Sequence, residues 1–501
     1  MMRDTARFKQ GEYDVLIIGG GINGAAIAHV AAGQGMKVAL LEKGDFGCGT
    51  SSKSTKLIHG GIRYLENYEF DLVKESLRER YIQLKSIPHL VKPIGFIIPV
   101  YKTDRRPLWK MKLGVAVYDF LSGRYCIQKH RQLRVDEVLR MVIGIRKEGL
   151  VGAVMYYDAQ MDDARIVLEN ILSADDKGAH VANYVEVKSF LKSGEKVIGV
   201  KAGDLLNNEE FEVRASRIVC AAGPWSNILL KMDNPDATAK IRTTKGIHIV
   251  YKGQISQHAF LIPSGSDRRV FFVIPWFGNS IIGTTDTDFA GNPDEVKAEP
   301  EDIKYLLTEA RRVFPGIEFG EENIITTFAG LRPLVHDIGH PSDVSRKHVI
   351  EETASGLVFV LGGKYTTYRA IAVECIKKML KGSLAMPEMD YPLYGSGPVE
   401  MDSQEIASQH HLDKNAVESL IQKYGTRYKD VLQLIKNDFS LKERICNCSH
   451  VIKAQVIYAL KVEMAQNPED IIWRRLNLGY LDCATKKCRK AIDDLIGQMK
   501  N

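Results

Sequence analysis

Nowhere in its 501 residues does the chain hold an apolar run approaching the roughly 20 residues that cross a bilayer. A transmembrane helix is therefore not expected. The first ten residues, Met1 to Gln10, are polar and basic and lack an apolar segment, so no secretory signal is expected either. They are also too short to argue for an organelle transit peptide, and the cytoplasm is the default compartment. No internal repeat or low-complexity tract interrupts the sequence. Charge of one sign is scarce: 68 basic and 62 acidic residues are mixed along the chain, leaving a net charge of only +6. No basic stretch is interleaved with aromatics, so a nucleic-acid partner is not expected. The small positive excess suits an anionic substrate or a lipid surface, and equally well plain solvated charge. Cysteine is sparse. Of eight cysteines, Cys48, Cys126, Cys220 and Cys375 lack partners at useful spacing and read as structural, whereas the rest crowd the C-terminal end. In a reducing compartment such crowding points to metal ligation rather than disulfides.

What is present is the material of an ordinary globular protein, 45% hydrophobic and 26% charged, long enough for about three domains. Its first motif is complete. Asp14 to Ile18 reads as a short buried strand, Gly19-x-Gly21-x-x-Gly24 as a tight turn, Ile22 to Gln34 as a helix, and Lys37 to Leu41 as a second strand ending at Glu42. Glycines let the backbone approach a pyrophosphate, the helix N-terminus favours its charge, and the terminal acid accepts hydrogen bonds from a ribose. Strand, turn, helix, strand and acid together predict a dinucleotide-binding unit. A second apolar strand ending in Ala-Ala-Gly223-Pro-Trp225 favours FAD over NAD. After the first unit come Ser51, Ser52 and Thr55, whose hydroxyls suit either the pyrophosphate or the cap of a helix beginning near Lys56.

Four further stretches carry a resemblance: Lys56-Leu-Ile-His-Gly-Gly-Ile-Arg-Tyr-Leu65, Gly283-Thr-Thr-Asp286, Ala329-Gly-Leu-Arg-Pro-Leu334 and Gly362-Gly-Lys-Tyr-Thr-Thr-Tyr-Arg369. Together they resemble the FAD-dependent glycerol-3-phosphate dehydrogenase family, over most of the chain. The resemblance implies an α/β fold: a Rossmann-type FAD-binding domain with an inserted antiparallel β-sheet substrate domain, followed by a helical C-terminal region carrying the cysteines. The oxidoreductase region is expected over 1–385, its flavin domain discontinuous and its substrate domain mainly 80–150 and 235–350. A linker and helical segment is expected over 386–440, with Pro392 to Pro398 a linker by composition, and a separate cysteine domain over 441–501.

The activity implied is oxidation of sn-glycerol 3-phosphate to dihydroxyacetone phosphate, with hydride transfer to FAD. That chemistry needs an anchor for a dianionic phosphate, a hold on C2 and an acceptor for the hydroxyl proton. Arginine suits the phosphate through its planar, bidentate fork. The resemblance carries Arg63, Tyr64, Thr284, Thr285, Arg332 and Lys364 into the substrate pocket together with His248, chosen as general base because imidazole titrates near neutrality. A nearby arginine would stabilise the developing alkoxide. His59 reads as a flavin contact. Gly362, Gly363 and Thr366 mark a strand-to-helix turn whose N-terminus suits negative charge on the flavin.

Cys446-x-Cys448 and Cys483-x4-Cys488 form two close pairs. Four thiolates so arranged suit a [2Fe-2S] cluster, and structural zinc is the rival, weakened by the one-residue spacing of the first pair. The spacing resembles a bacterioferritin-associated-ferredoxin-like domain, which implies the layout of the anaerobic enzyme's catalytic subunit. It also implies a quinone or an electron-accepting partner subunit, in an oligomer or hetero-complex. The Arg-Arg segment near Pro468 to Arg475 fits that family but then departs from it at Leu476 and Asn477. Basic residues, Trp109 and an apolar face between Arg105 and Phe120 suit a helix lying peripherally on the inner face of the cell membrane, although a packed surface helix explains them equally. Two other functions stay open: a flavin enzyme of another 2-hydroxy acid or an amine, and a non-enzymatic flavin- or metal-binding module.

Overall fold

The computed structural model describes residues 3–267, 269–335, 348–382, 390–482 and 487–500. The expected opening unit forms: strand β1 (Glu12–Ile18), helix α1 (Ile22–Gly33) and strand β2 (Val38–Leu41). β1 pairs in parallel with β2 on one side and with the strand Glu209–Cys220 on the other, and Leu357–Gly362 extends the parallel sheet. Both faces of β1 are covered, as a central parallel strand requires. Val15 and Ile17 point to a core built with α1 and the helices Asp163–Asp176 and Tyr368–Leu380. Leu16 and Ile18 point to a core under the antiparallel strands Val185–Ser193 and Lys196–Asp204. Three separated stretches of sequence therefore share one sheet, and the flavin domain is discontinuous.

The second sheet is centred on Ile241–Tyr251, Asn279–Gly283, Val270–Trp276, Ala259–Pro263, Val91–Tyr101 and Leu150–Met161 in spatial order, with Ile324–Val335 paired to Ile241–Tyr251. It is antiparallel except where Ala259–Pro263 runs parallel to Val91–Tyr101. No helix begins near Lys56. Leu57–Ile58 is instead a short strand of this sheet, so the capping role considered for Ser51, Ser52 and Thr55 falls away at that place. Ser51 caps elsewhere: its hydroxyl accepts from the Ile22 amide, 2.9 Å, at the start of α1.

The C-terminal helices, from Ser403–His410 to Arg489–Lys500, form a domain packed onto the flavin domain. The segment 392–398 is not a free linker. The Tyr391 hydroxyl donates to Asn170 (2.7 Å), Leu393 enters the flavin-domain core, and the Ser396 hydroxyl donates to the Ser86 carbonyl (2.6 Å). Nor is the cysteine-bearing region a separate appendage. The buried Asp45 receives both Arg474 and Arg475, its Oδ1 lying 2.8 Å from the latter. Burial works against its charge, but the two guanidiniums hold the carboxyl down to about 2. Arg165 pairs with Glu463 at 2.5 Å, and the Asn477 amide donates to Asp162 at 2.7 Å. Fully buried ion pairs tolerate no missing partner, because the remaining charge stays desolvated.

Candidate active site

One cavity of about 1110 Å³ runs from the first glycine turn to the second sheet. Its first wall is the dinucleotide unit. Gly24 has no alternative residue, because a Cβ there would stand 1.8 Å from the Gly19 carbonyl oxygen. That close approach lets α1 start directly against the turn, with Gly21 at its N-cap and Asn23 on the cavity wall. Glu42 lies on the same wall, its carboxylate accepting from the Gly20 amide (2.6 Å) and the Gly44 amide (2.7 Å). Burial pushes this carboxyl above its ordinary range, against the pull of those two amides. Gly19, Ser51, Thr55, His59, Gly223, Gly362, Gly363 and Thr366 also line the cavity. The Thr366 hydroxyl accepts from the His59 amide at 3.1 Å, joining two of those segments.

The substrate end is built across paired strands. Register places Gly246 opposite Gly330, Thr244 opposite Arg332 and His248 opposite Phe328. The Arg332 guanidinium lies over Gly246, where any Cβ would come within 2.5 Å of its Nη2. Asp286 holds it at 3.1 Å, and the Thr284 hydroxyl accepts from it at 2.8 Å. The Thr285 carbonyl accepts from the same guanidinium at 3.3 Å. Thr284 and Thr285 thus stand behind Arg332 and orient it instead of lining the cavity. Lys364 and Tyr64 do line it, the ammonium 3.9 Å above the phenol ring. Arg63, on the turn Ile62–Asn67, is not on the wall, and neither is Ser52, whose carbonyl accepts from Lys56 at 2.8 Å.

His248 is buried, stacked on Phe328 with ring centroids 4.8 Å apart. Its Nε2 lies 3.0 Å from the Thr55 hydroxyl, and its buried Nδ1 has no partner among the described residues. Burial first, then the charges of Arg332 and Lys56, holds its pKa well below 6.5. The ring is therefore neutral at neutral pH and able to accept a proton.

The sequence patterns gave no sign of three other wall residues. Lys53 is one: burial, Arg474 and Lys56 push its ammonium down to about 8. Asp294 is another, paired with Lys43 at 2.7 Å and accepting from the Trp225 indole at 3.0 Å. Trp473, from the C-terminal domain, is the third. A dinucleotide flavin fits this cavity, since a cradle that excludes any Cβ and a helix N-terminus, with Asn23 beside it, line one space. Gly19, Gly21, Glu42 and Ser51 would hold its diphosphate and ribose, and Gly362 to Thr366 its ring end.

The Sγ atoms of Cys446, Cys448 and Cys488 lie within 4.8 Å of one another, and Cys446 and Cys488 stand disulfide-paired, Cα atoms 5.5 Å apart. Cys483 lies outside the described residues.

Residues 14–369 match the model of the FAD dependent oxidoreductase family. Residues 389–501 match, as one domain, the C-terminal domain of alpha-glycerophosphate oxidase. That single match spans both the segment expected as a linker and the segment expected as a ferredoxin-like domain. The chain is 36% identical to a glycerol-3-phosphate dehydrogenase of Synechocystis, covering 95% of this chain and 90% of that protein. It is 34% identical to an aerobic glycerol-3-phosphate dehydrogenase of Staphylococcus aureus, covering 94% and 88%. It is 35% identical to the human mitochondrial enzyme, covering 98% and 71%. Among solved structures, a Bacillus halodurans glycerol-3-phosphate dehydrogenase complexed with FAD superposes with a TM-score of 0.78 at 27% identity, covering 99% and 96% of the two chains. On this evidence the chain belongs to the FAD-dependent glycerol-3-phosphate dehydrogenase family.

Proposed function

We propose that the chain oxidises sn-glycerol 3-phosphate to dihydroxyacetone phosphate. One observation carries the reading: Arg332, Lys364 and the neutral His248 line the same cavity as the glycine cradle. The two cations suit a phosphate dianion, and Arg332 is already oriented by Thr284 and Asp286 to present its fork. His248 accepts the C2 hydroxyl proton, with Thr55 fixing the ring at Nε2. Arg332, beside it, stabilises negative charge developing on the substrate oxygen. FAD, when bound, supplies the hydride acceptor. Tyr64 and Lys364 close the same end of the site. Arg63 stands one position from Tyr64 and is kept as a supporting charge, not a direct ligand. Substrate range tests the reading: glycerol 3-phosphate should reduce the bound flavin, and glycerol, 2-hydroxy acids and amines should not. Equal reduction by a substrate without phosphate would refute it.

The onward path is part of the same proposal. Electrons leave through an iron–sulfur centre on the C-terminal cysteines to a quinone or an electron-accepting partner subunit, at the inner face of the cell membrane. No helix among the described residues is long and apolar enough to cross a membrane. The helix Leu108–Ser122 supports peripheral contact, because Trp109, Leu113 and Phe120 are exposed beside Arg105, Lys110 and Lys112. Flotation of the full chain with anionic liposomes, lost on Trp109→Ser with Phe120→Ser, is the expected result. Flotation unaffected by the double substitution would remove this helix from the role.

A further inference from the structure

From a polar stripe on the helix Phe70–Ser86 we infer that Ser76 is a positioning residue, holding the Lys364 ammonium where the substrate phosphate binds. The inference rests on the substrate reading given above and adds the device that aims one of its two cations. Ser76, Glu79 and Gln83 recur at helical spacing, so they share one face of this helix, and all three are buried. Burying polar side chains costs free energy unless each finds a partner. Each finds one in residues 364–369, where the strand Leu357–Gly362 turns into the helix Tyr368–Leu380. The Ser76 hydroxyl accepts from Lys364 Nζ at 3.1 Å, and Gln83 Nε2 donates to the Thr366 carbonyl at 2.7 Å. Glu79 takes both prongs of Arg369, at 2.6 and 2.9 Å. Glu79 and Gln83 thus lock the turn, and Ser76 reaches its one cavity-lining cation.

The direction of the serine hydroxyl is set by its own bond. Ser76 Oγ lies 2.7 Å from the Leu72 carbonyl, one turn earlier, and can only donate to it. Its lone pairs are left to accept, and Lys364, which has donors and no acceptor, uses one. On another side the same ammonium stands 3.9 Å above the Tyr64 ring. A lysine carries its charge on a flexible four-carbon stem, and these contacts restrict it before substrate arrives. Lys364 and Tyr64 line the cavity, whereas Ser76 does not. Ser76 therefore acts on the substrate through Lys364. Its contribution is preorganisation: the phosphate meets an ammonium already in place, not one that must be ordered on binding. The phosphate takes no part in hydride transfer, so its hold is the same in ground state and transition state. The effect of Ser76 accordingly falls on affinity and not on the limiting rate of the chemical step.

The test uses the full, FAD-loaded chain. Ser76→Ala removes one hydroxyl inside a helix, where alanine is the better helix former, so the helix is kept. In stopped-flow reduction of the flavin, the glycerol 3-phosphate concentration giving half the limiting rate should rise about fivefold, while the limiting rate changes by less than about twofold. Calorimetric titration with inorganic phosphate should show the same loss of affinity, about fivefold. Lys364→Met should weaken phosphate binding further, and adding Ser76→Ala to it should change nothing more. A loss from Ser76→Ala that is equally large in the Lys364→Met background would overturn the inference, because the serine would then act on the shape of the site and not on the lysine. Unchanged half-saturation in Ser76→Ala, or a fall in the limiting rate alone, would overturn it too. If glycerol 3-phosphate fails to reduce the wild-type flavin, the substrate reading fails, and the phosphate titrations still decide the role of Ser76.

Discussion

The dinucleotide unit and the C-terminal domain are fixed in the molecule in opposite ways. The first is held mainly by neighbours in sequence: a glycine turn closed on itself, β2 paired alongside β1, and Glu42 tied back to Gly20. The second is held by charges hundreds of positions apart, with Asp45 between Arg474 and Arg475 and Arg165 against Glu463. Asp45 belongs to the loop that follows Glu42, so the distal domain buttresses the cofactor wall directly. The C-terminal domain is thus a structural part of the flavin site and also contributes Trp473 to its lining.

Removing the C-terminal domain breaks the comparison most severely. Cutting the chain before residue 390 strips the partners of Asp45, Asp162 and Arg165, and we expect no soluble, flavin-containing product. A yellow truncated protein, reduced by substrate, would show the two regions to be independent.

His248→Asn acts within the substrate sheet and should slow flavin reduction by about 10²–10⁴, the usual worth of a general base, with little change in substrate affinity. The wild-type rate should stay flat as pH falls through the ordinary imidazole range, about 6.5. Burial lowers this ring's pKa, so the neutral, accepting form persists to lower pH and activity falls only below that range. An inflection near 6.5 that survives in the asparagine variant would assign the proton to another group.

Asp45→Ala leaves two buried guanidiniums unmatched and should cost about 3–5 kcal/mol of unfolding free energy, read from denaturant titration. Loss of Glu209, an exposed partner of Lys9, should cost under about 1 kcal/mol and serves as the control. Arg332→Lys keeps the charge but loses the fork, and kcat/KM for glycerol 3-phosphate should drop on the order of 10². The smallest effect belongs to Lys53. Its ammonium is charged below about pH 8 and lost above it. Affinity for the anionic substrate should therefore weaken as pH rises through that value, by about fivefold for ~1 kcal/mol of attraction. Lys53→Gln should remove the step.

The same contrast explains what was legible in the sequence. Glycine spacing, β1, α1 and Glu42 are local patterns, and all formed as expected. Gly246 and Arg332 lie far apart in sequence but face each other across one pair of strands, and only family resemblance joined them beforehand. Pro392 to Pro398 has a linker's composition, yet Ser396 within it and Tyr391 beside it bond to Ser86 and Asn170, which no local pattern announces. Thr284 and Thr285 follow the strand Asn279–Gly283 and hold Arg332 through the Thr284 hydroxyl and the Thr285 carbonyl, a contact that no local pattern announces. Arg474 and Arg475 sat in a recognisable segment, but their partner, Asp45, was invisible until the domains were placed together. Trp473 and Lys53 escaped for the same reason.

The most direct test of the account is an anaerobic titration of the yellow full-length chain with glycerol 3-phosphate. The account predicts bleaching of the flavin with one dihydroxyacetone phosphate formed for each pair of electrons stored, and no bleaching by glycerol at the same concentration. Persistent yellow colour with glycerol 3-phosphate, or bleaching without dihydroxyacetone phosphate, would contradict it.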